Sequence, residues 1–171
     1  VGNYNNSKVE VIVPQEEFNY NKFFNIGLSK CNAQYIIGPN NDVIVKPGCL
    51  QAMLEAFTSN ASLYSLSPVN REWPRHKQMY LPQTNKLYYG YVTNLHLLGC
   101  MFAARRKTFD VIGYLDESFY FYYQDDDYLA CLRRNNLLHA VHTGAEISHK
   151  NGSSSKYSSS KYQYSNKVAL Q

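Results

Sequence analysis

The stretch Tyr35-Ile36-Ile37-Gly38-Pro39-Asn40-Asn41-Asp42-Val43-Ile44-Val45-Lys46-Pro47-Gly48-Cys49-Leu50 changes its pattern three times within a short span. A brief apolar run, read as a buried strand, ends in Pro39-Asn40-Asn41-Asp42, a polar cluster of turn-forming residues. Val43 to Val45 resumes extended structure. Pro47 then stands where proline is favoured, in the first turn of a helix whose Leu50, Met53, Leu54 and Phe57 recur at the spacing of one face. Strand, polar turn, strand and helix in this order predict an α/β layer. Polar side chains are thereby delivered to the carboxyl end of a strand, where ligands of open α/β sheets bind.

The pattern continues on both sides. Towards the N-terminus, Phe24, Leu28 and Cys31 recur at helical spacing with Phe23 beside them and predict a helix over 21–31. Val9, Val11 and Val13, alternating with Glu10 and Ile12 and stopped by Pro14, predict a short strand. Towards the C-terminus, strands are expected over 63–69, 88–92 and 99–104, and a short helix over 107–112 closed by Gly113. The intervening 70–86 reads as a long irregular loop carrying Trp73, of a length that in compact domains is usually functional. A helix over 125–135 has aspartates at its positive end and Arg133 and Arg134 at its negative end, and two short strands follow at 138–141 and 145–148. Together these predict a three-layer sandwich with a mainly parallel sheet over 1–152. After His149 the composition turns to Ser, Lys and Tyr, with Ser-Ser-Ser-Lys-Tyr at 153–157 repeated at 158–162, so 153–171 reads as a separate segment.

Composition sets the bounds. The 171 residues suit one globular domain, and 44% hydrophobic against 18% charged residues excludes a disordered chain. No apolar run reaches the length of a membrane span. The net charge of +4 is scattered, leaving no basic stripe for nucleic acid, which is set aside as a partner. Cysteines at 31, 49, 100 and 131 show no Cys-x-x-Cys spacing, so neither a zinc site nor a disulfide framework is expected and a reducing, cytoplasmic compartment is the default.

Several short motifs recur in a meaningful order. Asn25-Ile26-Gly27, Ala33-Gln34-Tyr35-Ile36, Asn40-Asn41-Asp42 and Pro47-Gly48-Cys49-Leu50 are followed by Gly99-Cys100, Arg105-Arg106, Phe109 and the run from Ile112 to Phe119. Tyr123-Gln124-Asp125-Asp126-Asp127-Tyr128, His149 and Gly152-Ser153-Ser154 complete the set. In order and spacing from about residue 9 to 154, the chain resembles family 2 glycosyltransferases, in particular rhamnosyltransferase-like members. The resemblance implies a Rossmann-like type A glycosyltransferase fold. It also implies inverting, metal-dependent transfer of a hexosyl or deoxyhexosyl group from a nucleotide-diphosphate sugar to a glycan or lipid-linked saccharide acceptor, as in polysaccharide biosynthesis.

By the same resemblance Asp125 is the general base, and Asn40, Asn41, Asp42 and Gly99 lie on the donor side. Asp42 and His149 would reach a divalent metal, Mn²⁺ or Mg²⁺. Independently of the resemblance, aromatic rings suit the apolar face of a sugar, which puts Trp73 and Tyr123, with Asp126, on the acceptor side. The chemistry is consistent: a diphosphate leaving group needs its charge neutralised, hard cations prefer oxygen ligands, and the acceptor hydroxyl needs a base. Each group also has a plainer reading. Asn41 and Asp42 suit an Asx-type turn, the three aspartates suit a helix cap, and His149 suits a hydrogen-bonded residue at a strand end. Phe119, Phe121 and Tyr123 share one face of an extended run and suit the core better than a sugar contact.

The departures from the family pattern are local. Asn40 stands where many members carry Asp, Gln124 replaces a Glu, and the usual first strand has no counterpart before Val1-Gly2-Asn3-Tyr4-Asn5-Asn6-Ser7. A fragment of a longer product, a fold completed by a second copy of the chain as a homodimer, and a degenerate member are the three expectations that follow. A lipid-linked acceptor would add contact with a membrane surface. The alternative function is a non-catalytic carbohydrate-binding or structural module that keeps the fold.

Overall fold

The structure, a computed structural model, describes residues 9–80, 85–120 and 122–149. In chain order it contains α1 (Tyr20–Lys30), β1 (Tyr35–Pro39), β2 (Val43–Val45), α2 (Cys49–Ser59), β3 (Leu63–Asn70), α3 (Pro74–Tyr80), β4 (Leu87–Tyr89), β5 (Met101–Arg105), α4 (Arg106–Ile112), α5 (Gln124–Arg134) and β6 (Leu138–His149). The expectations for 153–171 and for Val1 to Ser7 lie outside the described residues.

The sheet runs β1-β5-β3-β6-β2, and β4 also pairs with β6. β3 and β6 are parallel, whereas β1–β5, β3–β5, β2–β6 and β4–β6 are antiparallel. The fold is therefore α/β with a mixed sheet, which corrects the mainly parallel expectation. β5 meets both β1 and β3 antiparallel, and the three-residue strands β2 and β4 lie antiparallel on β6, so strand direction follows the pairing partners and not the helices that alternate with the strands. β6 carries β3 along one edge and both short strands along the other.

Pro68 lies within the central strand β3 and has no N–H for the ladder. At that point the pairing with β6 skips from His142 to Glu146. Arg71 fills the interruption, donating to Thr143 O, Tyr80 O and Glu146 Oε2 at 2.9, 3.2 and 2.7 Å. The two short strands expected at 138–141 and 145–148 are thus one strand with an irregularity at Thr143-Gly144.

Alternation along β5 separates two cores. Met101 and Ala103 pack with Cys49, Met53, Ala56 and Phe57 of α2, while Phe102 and Ala104 pack with Leu28 of α1, Phe109 of α4 and Tyr128, Leu129 and Leu132 of α5. Helices cover both faces, which gives the three layers. The α2 core stripe is Cys49, Met53, Ala56 and Phe57; Leu50 and Leu54, expected on it, are exposed, and Pro47 precedes the Gly48 cap instead of opening the helix. The stretch 70–86 is not all loop, since it contains α3. Residues 9–13 form no strand, and their valines are exposed.

The pair Arg105-Arg106 closes two helices. The guanidinium of Arg105 donates to Phe57 O and Asn60 O at the end of α2 and to Leu63 O at the start of β3. Arg106 donates to Leu28 O, Cys31 O and Ala33 O at the end of α1. Carbonyls left over at helix C-termini are the acceptors that a cation best satisfies.

Candidate active site

The polar turn after β1 is held from two sides. Asn40 N donates to Cys100 O at 2.8 Å, and Val43 N closes the turn on Asn40 O at 3.3 Å. Beyond it, the antiparallel register sets Val43 opposite His149. His149 Nε2 therefore lies 3.1 Å from Asp42 Oδ1, with the ring largely buried and the carboxylate partly exposed. The cluster forms the turn expected of it, and the turn holds the Asp42 carboxylate against His149.

The three aspartates of α5 do not cap it. The cap is Tyr123, in the left-handed region at φ 68° with no side-chain bond, and each aspartate faces a different neighbour. Asp127 lies 3.7 Å from Arg134, and Asp126 Oδ1 accepts from Thr93 Oγ1 at 2.6 Å. Asp125 packs against Gly99 so closely that a Cβ there would sit 3.0 Å from Asp125 Oδ2. Burial, and then the neighbouring charge of Asp126, pushes the Asp125 pKa above the ordinary carboxylate value, against the opposing pull of nearby backbone amides. The Cys100 thiol is pushed up to about 12, chiefly by burial, with both Asp42 and Asp125 adding to the shift. Cys100 thus senses both carboxylates.

Asp42 and Asp125 line one cleft of about 710 Å³, together with Asn40, Asn41, Gly99 and Gln124. Its other wall is aromatic: Phe18, Tyr20, Phe23, Phe24, Phe102, Tyr120, Tyr122 and Tyr128. Among its described lining residues there is no Lys or Arg. Gly38 lets the wall close, since a Cβ there would lie 2.7 Å from the Phe24 ring.

Residues 115–117, of which Leu115 lines the cleft, are held by asparagines on α1 and at its N-cap. Asn25 grips Leu115 at both its N–H (2.9 Å) and its C=O (2.8 Å), Asn21 Nδ2 donates to Asp116 O at 2.6 Å, and Asn19 Nδ2 donates to Glu117 O at 2.8 Å. Asn25 also donates to Glu117 Oε1 at 3.0 Å.

The remaining sequence-level candidates fall elsewhere. Trp73 is partly buried against the α2 core, Tyr123 is exposed at the α5 cap, Asp126 is turned to Thr93, and none of the three lines the cleft. In the aromatic run it is Tyr120 and Tyr122 that face the cleft, the opposite parity to Phe119 and Tyr123, while Phe121 lies outside the described residues. Sequence reading missed Tyr20 and the asparagine clamp. Asn21 and Asn25 were legible as an i, i+4 pair, but polar residues at core positions are informative only when their partners are known. Among the described residues no group of three or more His, Cys, Asp or Glu could hold a metal ion. Asp42 and His149 alone make a two-residue set, the kind that suits a cation sharing its remaining positions with water and substrate phosphates.

The family model described as Glycosyl transferase family 2 matches residues 2–113. That span takes in α1 through α4, the turn bearing Asp42 and Gly99; Asp125 and His149 lie beyond it. A comparison with curated proteins gave no match.

Proposed function

The chain belongs to glycosyl transferase family 2, and from that premise we propose that it moves a sugar with inversion from a nucleotide-diphosphate sugar to a saccharide hydroxyl. Glycosyl transfer between a nucleotide-sugar donor and an acceptor is what membership of the family entails. The observation that carries the finer reading is that Asp42 and Asp125 line one cleft although they come from distant parts of the chain. Asp125 takes the proton of the acceptor hydroxyl as its oxygen bonds to the anomeric carbon. The bond from that carbon to phosphate breaks on the opposite face, and the nucleoside diphosphate leaves with the electron pair. A base buried beside Gly99 with a raised pKa is a stronger proton acceptor than a free carboxylate.

Asp42 and His149, with Asn40 and Asn41 beside them, are the residues that would hold Mn²⁺ or Mg²⁺ on the donor side. Such an ion, when bound, neutralises charge developing on the diphosphate.

The test is calorimetric titration with a panel of nucleotide sugars, with and without Mn²⁺, followed by transfer assays on the donor that binds. Asp125→Asn is expected to keep donor binding and lose roughly 10² to 10⁴ in turnover. Asp42→Ala is expected to abolish the Mn²⁺-dependent part of the affinity. Undiminished turnover in Asp125→Asn removes the base assignment. If no nucleotide sugar binds the unmutated protein, the non-catalytic carbohydrate-binding module becomes the better reading.

A further inference from the structure

We propose that Tyr128, Ser65 and His139 form a buried positioning relay that holds the Asp125 carboxylate against Gly99. The inference rests on the reading of Asp125 as the base and deepens it.

Tyr128 follows Asp125 by three positions on α5, so the two share a helix face. Its ring is buried against Phe102 and Phe109, at centroid distances of 4.7 and 6.5 Å. Its hydroxyl donates to Ser65 Oγ at 2.8 Å, on the central strand β3. Ser65 Oγ lies 2.9 Å from His139 Nδ1, and His139 Nε2 lies 3.0 Å from His96 O.

The direction of each hydrogen follows from chemistry. A carbonyl only accepts, so His139 carries its proton on Nε2 and presents Nδ1 as an acceptor. The Ser65 hydroxyl then donates to Nδ1, which leaves its oxygen to accept from Tyr128. Burial lowers the His139 pKa to about 4, so the ring stays neutral near pH 7 and the order does not reverse.

The relay ends on the segment that forms the other side of the Asp125 contact. His96 lies three residues before Gly99, its ring packs on Gly90, and Leu98 N donates to Ser67 Oγ at 3.2 Å. Ser65 and Ser67, two residues apart on β3 and both fully buried, thus anchor the helix carrying Asp125 and the loop carrying Gly99 to the same strand. A buried network with every member satisfied favours one geometry over its alternatives.

The experiment follows the Asp125 carboxyl carbon by NMR across pH in the full chain and needs no substrate. Tyr128→Phe and Ser65→Ala are each expected to let the carboxylate move towards solvent and lower its midpoint by roughly half a unit or more towards the ordinary value. Tyr91→Phe is the control. It removes a tyrosine bond of similar length, to Leu137 O at 3.0 Å, that involves none of Ser65, Ser67 and His139, and is expected to leave the titration in place. Asp126, Cys100 and Tyr20, the other ionisable groups that couple to Asp125, are the same in all variants. An unchanged midpoint in Tyr128→Phe, or an equal change in Tyr91→Phe, overturns the relay; should Ser65→Ala not fold, Tyr128→Phe alone decides. Failure of the base assignment would appear separately, as undiminished turnover in Asp125→Asn.

Discussion

Gly99 shows how one missing Cβ sets the chemistry of a neighbouring side chain. A methyl group there would lie 3.0 Å from Asp125 Oδ2 and 3.3 Å from its Cγ, tighter than ordinary van der Waals contact, so either the loop or the carboxylate must give. Gly99→Ala is therefore expected to rotate Asp125 out of its seat and lower turnover by at least tenfold, since positioning errors of about 1 Å cost on the order of 10²-fold. Donor affinity is expected to hold, because Asp42 is untouched. A kinetic split with kcat falling and the donor Kd constant checks this, and equal losses in both would place Gly99 on the donor instead. The same seat predicts the acid limb of activity. As the proposed base, Asp125 works only when ionised, and burial raises its pKa, so kcat is expected to fall on acidification at a higher pH than for an exposed aspartate. Asp42 and Asp125 were legible in the sequence because short polar clusters at a strand end and a helix start are local features. The sequence put Gly99 on the donor side; its contact with Asp125 was not legible, because that depends on where α5 comes to rest.

At the scale of elements, α2 separates what periodicity can read from what it cannot. The existence of the helix follows from its apolar spacing, but Leu50-Met53-Leu54-Phe57 and Cys49-Met53-Ala56-Phe57 are both valid stripes, rotated by a fraction of a turn. The sheet chose the second, since small Cys49 and Ala56 let the helix approach Leu63, Leu66 and Ala140 closely. The two stripes share Met53 and part at Leu54, its neighbour. Met53→Ala is expected to destabilise the protein by about 2–5 kcal/mol and Leu54→Ala by less than about 0.5 kcal/mol, measured by urea denaturation. Equal losses would restore the first stripe. Helix α1 carries the same lesson further. Its apolar spacing foretold a helix over 21–31, yet Asn21 and Asn25 are buried beside Leu28 because residues 115–117 offer backbone partners that hydrophobicity does not register. The sheet direction was illegible for a related reason. Helices between strands imply crossovers, but only pairing partners decide whether a short strand such as β2 meets its neighbour parallel or antiparallel.

For the molecule as a whole, the buried histidines set the response to acid. His76 and His139 are fully buried, on α3 and β6, and burial lowers each pKa from 6.5 to about 4. His96 and His142 are lowered for the same first cause. In the unfolded chain these rings take up protons as pH falls through 6.5, while in the folded chain they resist until about 4. The unfolded state therefore binds more protons across that window, and stability falls with falling pH. At pH 5 the loss from His76 and His139 is roughly 2 kcal/mol each, which is large against the 5–15 kcal/mol typical of a domain. Asp125 and Asp127 act in the opposite sense, because their raised folded pKa values make protonation favour the native state. The histidines are expected to win, since theirs are the larger shifts. Urea denaturation at pH 7.5 and 5.0 should accordingly show a marked fall in midpoint. His76→Asn offers a side-chain oxygen to Asn70 N, which now donates to His76 Nδ1 at 3.1 Å, and removes one titrating ring, so it should cut the fall substantially. A fall in midpoint that His76→Asn leaves unchanged would mean that these rings are hydrated in solution. In that case the neutral state of His139, on which the ordering of its bonds to Ser65 and His96 depends, would be lost already near pH 6.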